Sequence, residues 1–313
     1  MKTIKVFSPA TIGNFIVGFD VLGACLATLD RTLGDELVIS DEQPSGYSAE
    51  GEFAYKLPDN EHNLVITTAE FFNRKLVDIK KQQPIKLNFT LFKNLPIGSG
   101  LGSSSSSIVA TLYGLNQWYE SPFTQQQLLL WSAQIEGSNS GSIHYDNVAP
   151  CLLGGLQLIN SELEDPCQPI PFFNDLYFAI CFPDIEITTK SARAILPDTI
   201  NLIDTITMQG RLAGFIASCF QKNKSRALDL LKDDTITPKR KQLIPDYDKA
   251  EVLARENGAL TFCLSGSGPT CFAICRDEQT ARDVSEKILN VLSRGEHAFH
   301  CVATLDVQGA RLL

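Results

Sequence analysis

Pro96-Ile97-Gly98-Ser99-Gly100-Leu101-Gly102-Ser103-Ser104-Ser105-Ser106-Ser107 is the stretch on which the reading of this chain turns. Ahead of it Ile85, Leu87, Phe89 and Leu91 alternate with Lys86, Asn88 and Thr90, the period-two pattern of a strand. Behind it, Ile108 to Trp118 is apolar and compatible with a helix. The order is strand, glycine loop, helix. Glycines on alternate positions let a backbone close on a ligand in conformations that a Cβ would forbid. Serine hydroxyls at a helix start are expected to occupy unsatisfied backbone donors. Free N–H groups there, backed by the helix dipole, suit a phosphate. A plain Gly/Ser linker is the alternative, but linkers rarely run straight into a strongly apolar helix. No lysine follows the last glycine, so the loop is not a Walker A sequence. Its G-x-G-x-G spacing is not the dinucleotide fingerprint either. What remains is a loop that would hold phosphate through backbone amides, hydroxyls and a metal.

At 313 residues the chain can form two medium domains, and its 44% hydrophobic and 20% charged content is that of a globular protein. A net charge of −9 argues against nucleic acid as a partner, because no basic stripe could outweigh it. The 9 cysteines are scattered through apolar segments without a C-x-x-C pair, and the 4 histidines do not stand at zinc-like spacing beside them. Reduced, buried thiols are therefore expected. Met1 to Val6 lacks an apolar leader core, and no run reaches membrane-spanning length, so a cytoplasmic protein without a membrane partner is expected.

Along the chain, Ile4 and Val6 mark a first strand, followed by Ser8 to Asp20, rich in small residues and carrying Asn14, Gly18 and Asp20. Glu36 to Ser40 reads as a strand and Asn63 to Val77 as a helix. A further helix is expected over Gln125 to Ile135, and a strand over Gly154 to Ile159. The polar, proline-bearing Glu162 to Pro171 is the candidate boundary, dividing the chain into domains 1–165 and 166–313. The second half predicts a strand at Leu176 to Phe182 and helices at Ile203 to Gln221, Ser225 to Lys232 and Asp246 to Asn257. Strands at Ala259 to Leu264 and Thr270 to Cys275, a helix at Glu278 to Leu292 and a strand at Phe299 to Leu305 complete it. That is the order of a ferredoxin-like α+β domain.

Four polar clusters have no simple core explanation. They are Asn14 with Asp20; Glu136 with His144, Asp146 and Asn147; Arg193 and Arg240, the former beside Thr188-Thr189; and the turn Gly266-Ser267-Gly268. Singly, each has a plain structural reading: solvated charge, a helix-end carboxylate, a core histidine, a tight connection between strands.

Together they resemble the GHMP kinases. Ser8 to Asp20, Pro96 to Ser106 and Leu264 to Thr270 carry the resemblance in the right order, and the central stretch matches the family's phosphate loop. The stretches Asn14 to Gly23, Gly141 to Pro150, Ser191 to Pro197, and Arg240 with Leu243-Ile244-Pro245 resemble the homoserine kinase branch. The resemblance implies a two-domain α+β fold. Its N-terminal ATP-binding half would be like ribosomal protein S5 domain 2, and its C-terminal half ferredoxin-like. The implied reaction is ATP-dependent, Mg²⁺-assisted phosphorylation of the L-homoserine hydroxyl in threonine synthesis, with a homodimer as the analogous assembly.

The implied roles follow position by position. Pro96 to Ser106 would wrap the triphosphate, with Asn63 near the adenine and Gly266, Ser267 and Gly268 closing the site. Ser104 and Glu136 would hold Mg²⁺. Arg193 and Arg240 would fork onto the substrate carboxylate, Asn14 and Asp20 would meet the ammonium, and His144 and Thr189 would contact substrate. Asp146, paired with Asn147, lies where related kinases carry a catalytic aspartate; transfer without a protein base is the other option. A mevalonate- or shikimate-type kinase fits less well, because neither substrate has an ammonium for Asp20. A non-catalytic sensor would be expected to lack Ser104, Glu136 or a loop glycine.

Overall fold

The computed structural model describes residues 2–58, 62–140 and 143–313, without the side chains of Asn139, Ser140 and Thr189. In chain order the first half runs β1 (Thr3–Pro9), β2 (Thr11–Gly13), β3 (Leu22–Thr28), β4 (Gly34–Ser40), β5 (Tyr47–Glu50), α1 (Leu64–Lys80) and β6 (Asn88–Phe92). It continues with α2 (Ser103–Trp118), α3 (Gln125–Ser140), α4 (Val148–Leu153), β7 (Leu156–Ile159) and β8 (Cys167–Ile170). The second half runs β9 (Tyr177–Phe182), α5 (Thr189–Ala194), α6 (Leu202–Phe220), α7 (Lys224–Leu230), α8 (Thr237–Arg240) and α9 (Tyr247–Glu256). It closes with β10 (Thr261–Leu264), β11 (Cys271–Cys275), α10 (Glu278–Leu292), β12 (Phe299–Leu305) and β13 (Arg311–Leu312).

The long helices form where periodicity and caps agree. In α1 the Asn63 side chain accepts from the Val65 amide at 2.9 Å, and Val65, Ala69, Phe72 and Leu76 make one buried stripe. In α10 Asp277 caps the Thr280 amide, and Ala281, Val284, Ile288 and Leu292 face inward. These faces pack on two sheets. One, ordered β13-β1-β4-β6-β5, is covered by α1 to α4 around Phe72, Leu91, Leu112 and Trp131. The other, ordered β10-β11-β9-β12-β3-β7-β8, is antiparallel throughout, with β2 paired beside β3. Its first four strands have the ferredoxin-like order, with α9 and α10 on one face and α6 and α7 on the other.

The second sheet takes strands from both halves of the chain. Leu26 of β3 pairs with Leu305 of β12, and Leu158 of β7 with Gln168 of β8. The stretch 162–171, expected to be a boundary, therefore contains an edge strand, and the division at 165/166 falls within a continuous sheet. The strand leading to the glycine loop is Asn88–Phe92 rather than 85–91, because Ile85 is exposed and gives its amide to the Tyr119 hydroxyl. All the cysteines are free thiols, buried except for Cys167, which is partly covered. Among the described residues no helix is long and apolar enough to cross a membrane.

Candidate active site

The glycine loop joins β6 to α2. Gly98, Gly100 and Gly102 all have positive φ. At Gly100 the requirement is also steric, since a Cβ would lie 2.2 Å from the Ser265 carbonyl oxygen. Gly102 is the helix N-cap in the left-handed region and offers no side-chain cap. The first bond of the helix runs from the Ser106 amide to the Gly102 carbonyl at 2.8 Å. The Ser103, Ser104 and Ser105 amides precede it, so helix geometry leaves them without intrahelical acceptors.

The serine hydroxyls do not cap the helix start as expected, because the helix begins at Ser103 and contains them. Ser103 donates to the Leu95 carbonyl at 3.2 Å and Ser106 to the Ser8 carbonyl at 3.0 Å. Ser104 donates to Glu136 Oε1 at 2.6 Å. Ser107 accepts from Lys93 Nζ at 3.1 Å.

Lys93 is the group the sequence reading passed over. It is 1% exposed, lies 2.5 Å from Asp35, which is fully buried, and donates to the Ser103 carbonyl at 2.7 Å. The other Asp35 oxygen accepts from the Asn94 and Leu95 amides, both at 3.0 Å. This pair ties the end of β6 and the first turn of α2 to β4. The loop between them is set from beneath by a buried charge pair rather than by a lysine pointing at its ligand.

The loop forms one wall of a cavity of about 190 Å³. Ile97 to Gly100, Gly102 to Ser105, Gly266 and Ser267 line it on this side; Pro96, Leu101, Ser106 and Gly268 lie behind that surface. The turn Gly266 to Gly268 belongs to the same wall. Ser265 Oγ donates to the Gly100 carbonyl at 2.7 Å, the Thr270 amide to Ser99 at 3.0 Å, and the Gly266 amide to Gly13 at 2.9 Å.

Opposite stands the loop between β2 and β3, pinned by Phe15. Its ring is fully buried and meets Phe172, Phe178, Phe215 and Phe272 with centroids 5.7–6.3 Å apart. Burying such a ring is worth about 1.5–3 kcal/mol, and each aromatic pair adds roughly 0.5–1.5 kcal/mol. Above this anchor Asn14 and Asp20 both have positive φ, and Asn14 Oδ1 accepts from the Asp20 amide at 2.8 Å. Arg193 from α5 donates to both Asp20 oxygens, at 2.7 and 2.9 Å, with His144 Nδ1 3.3 Å from the same nitrogen. Arg240 from α8 is 3% exposed and donates to the Gly266 carbonyl at 2.8 Å. The Nε–H groups of both arginines are buried with no hydrogen-bond partner among the described residues.

Three carboxylates line the cavity, and their surroundings separate them. Asp20 is engaged by Arg193. Asp146 is buried and accepts from the Asn14 amide at 3.0 Å; burial, then the nearby Asp20 charge, pushes its carboxyl up to about 7. Glu136 is also pushed up by burial, against the opposing effects of Ser104 and Lys93. Burial lowers His144 despite Asp20, favouring the neutral ring. Asn147 accepts from the Thr11 hydroxyl at 2.8 Å, which fixes the loop after α3 against β2.

No cluster of three or more His, Cys, Asp or Glu side chains among the described residues could hold a metal by itself. The Ser104 hydroxyl and Glu136 carboxylate, side by side on the cavity wall, are instead an oxygen donor pair suited to a hard cation that keeps waters and phosphate ligands. Of the residues expected at the site, Asn63 is not on the cavity. It is 1% exposed, and its side chain is taken up by the Val65 amide and the Pro58 carbonyl. The Thr189 side chain, and Gly141 and Ser142 of the motif before His144, lie outside the described residues. Asn14, Asp20, Glu136, His144, Asp146, Asn147, Arg193 and Arg240 all converge.

Residues 63–155 match the sequence model for the GHMP kinases N terminal domain, and residues 216–294 match that for GHMP kinases C terminal. Among solved structures, a homoserine kinase from Cytophaga hutchinsonii ATCC 33406 is 32% identical with a TM-score of 0.88, covering 100% of this chain and 98% of that one. A Listeria monocytogenes protein provisionally assigned as a homoserine kinase is 24% identical with a TM-score of 0.74, covering 100% and 99%. A mevalonate kinase, at 13% identity and a TM-score of 0.71 over 98% and 100% of the two chains, shares the fold.

Proposed function

The chain belongs to the GHMP kinases, a family that transfers phosphate from ATP, and we propose that its acceptor is the side-chain hydroxyl of L-homoserine. The product would be O-phospho-L-homoserine, on the way to threonine. The observation that carries this reading is the acid–base pairing at the cavity wall facing the glycine loop. Asp20 and Arg193 sit 2.7 Å apart, with the buried Arg240 alongside. That is the arrangement a zwitterion can enter, its carboxylate meeting the guanidinium forks and its ammonium meeting Asp20 and the Asn14 amide oxygen. The 32% identical homoserine kinase supports the same substrate.

In the reaction the substrate hydroxyl oxygen bonds to the γ-phosphorus of ATP, the bond to the β–γ bridging oxygen breaks, and ADP leaves. The transition state is loose, so the chain's work is alignment and charge neutralisation. The amides of Ser103 to Ser105 and the loop glycines would face the transferring oxygens, where each charge-assisted bond is worth about 1.5–3 kcal/mol. Asp146 is the cavity carboxylate pushed up to about 7, the titration range of a base, and it would accept the hydroxyl proton. Ser104 and Glu136 would hold Mg²⁺, which when bound supplies positive charge against the triphosphate.

A coupled ADP-release assay with L-homoserine, mevalonate, shikimate and galactose in parallel tests the reading. Turnover confined to a substrate other than homoserine would overturn it. Glu136→Gln is expected to weaken apparent Mg·ATP affinity by about ten- to a hundredfold, the value of one charged ligand contact, while homoserine binding stays unchanged. Isothermal titration of each ligand separates the two, and an unaltered nucleotide response would remove Glu136 from the cation site. Arg240→Ala is expected to raise the homoserine KM by the equivalent of about 2 kcal/mol or more, since it strands a buried carboxylate. An unchanged KM would mean that the carboxylate binds elsewhere.

A further inference from the structure

We infer that Phe19 is a positioning residue whose ring sets the spacing of Arg193 and Arg240 and so gives the site its grip on the carboxylate of its amino-acid substrate. The identity of that substrate rests on the reading above. Arg193 and Arg240 arrive from different helices, α5 and α8, and line one cavity. Two cations facing the same space repel, and each needs a restraint. Arg193 has Asp20 and Arg240 has the Gly266 carbonyl, but neither acceptor is hydrogen-bonded to both arginines.

The Asp20 charge acts on both, and the Phe19 ring is packed against both. Its centroid is 4.8 Å from the Arg240 guanidinium carbon and 5.7 Å from that of Arg193. Both distances fall within the reach at which a ring's negative face attracts a cation. The ring is itself held. The Gly18 amide donates to the Phe15 carbonyl at 3.1 Å and the Asp20 amide to Asn14 Oδ1 at 2.8 Å, so the residues on either side of Phe19 are fixed, and Phe15 is locked in its aromatic cluster. Away from the cavity Phe19 lines small voids with Ile16 and Asp233. Asp233 in turn accepts from the Thr235, Ile236 and Thr237 amides that begin the Arg240 helix. Loop and helix are thus registered to one another around the ring, with one Nε–H of each arginine left for an incoming anion.

The test compares wild type, Phe19→Leu and Phe19→Tyr on L-homoserine and on 3-aminopropanol, which keeps the ammonium and hydroxyl but lacks the carboxylate. Phe19→Leu should raise the homoserine KM about tenfold, the size of two partly buried cation–π contacts, with kcat and the ATP KM within twofold. Phe19→Tyr should restore the KM, and kcat/KM for 3-aminopropanol should be the same in all three proteins. A homoserine KM unchanged in Phe19→Leu overturns the assignment alone, as does an equal loss on 3-aminopropanol, which would indicate general damage. Wild type inactive on homoserine overturns the substrate reading and the assignment with it. Should Phe19→Leu fold poorly, Phe19→Met, whose unbranched flexible side chain can fill an irregular apolar gap without a π face, is read in the same way.

Discussion

Asp146→Asn is expected to lower kcat by about 10²- to 10⁴-fold and, at the same time, to make the folded chain more stable above neutral pH. Both effects come from one carboxyl group that burial and the Asp20 charge push from its ordinary 3.8 up to about 7. As a base it works only when ionised, so kcat/KM should rise with pH through about 7 and level off, and the midpoint should vanish in the variant. Stability runs the other way. Between the unfolded and folded pKa the native state holds the extra proton, so its stability falls as pH rises across that window. Above about 7 the fold carries the full cost of a buried anion, on the order of 4 kcal/mol. An asparagine can still accept from the Asn14 amide and has no charge to bury. Thermal denaturation should therefore give similar midpoints near pH 4 and a higher midpoint for the variant at pH 8. A variant with wild-type kcat would exclude Asp146 from proton transfer, and coincident denaturation curves at pH 8 would exclude the buried-anion cost.

Asp35→Ala should destabilise the fold by about 3–5 kcal/mol, because it leaves the Lys93 ammonium, 1% exposed, without its counterion. It also removes the acceptor of the Asn94 and Leu95 amides, each of which costs roughly 1–3 kcal/mol if left unpaired. Combining Asp35→Leu with Lys93→Met removes the stranded charge but not the stranded amides, so the double variant should recover only part of the loss. Urea midpoints of the three proteins measure this. A single-variant loss of about 1 kcal/mol would mean that Lys93 finds another partner. Activity should fall in the double variant even where it is folded, since the glycine loop would have lost its lower support.

Much of this was legible in the order of residues. α10 lies where periodicity put it, because it has one apolar face and a clear terminus, and β12 does because its short apolar run has clear ends, with Phe299, Cys301 and Ala303 in one core and Val302 in the other. β2 and β3 were not read as strands. Leu22–Thr28 is buried on nearly every residue, so its sequence of small and apolar residues does not alternate. The convergence of Asn14, Asp20, Asp146, Arg193 and Arg240 was anticipated from the resemblance to the GHMP kinases, since each of these polar clusters taken singly has a plain structural reading. Lys93 and Asp35 escaped for the opposite reason: a lone lysine or aspartate reads as solvated surface, and nothing local marks a partner 58 positions away. The serines show a third limit. Composition gives a hydroxyl at each position but not its direction, and five neighbours in one loop and helix turn point to different places.

The pairing of β3 with β12 has a mechanical consequence. A rigid-body hinge between the two halves would have to strain backbone hydrogen bonds along a strand ladder that crosses from one to the other, which makes bulk closure of one lobe over the other costly. Rearrangement on ligand entry falls to pieces outside both sheets. Among the arginine-bearing elements the short α5 is the least encumbered: it spans Thr189–Ala194, its Arg193 is 31% exposed, and the segment that follows it, from Pro197 to Ile203, is exposed. On the proposed reading the sheets would serve as the fixed frame, and α5, a turn and a half of helix at its rim, would be the arginine-bearing piece freest to adjust.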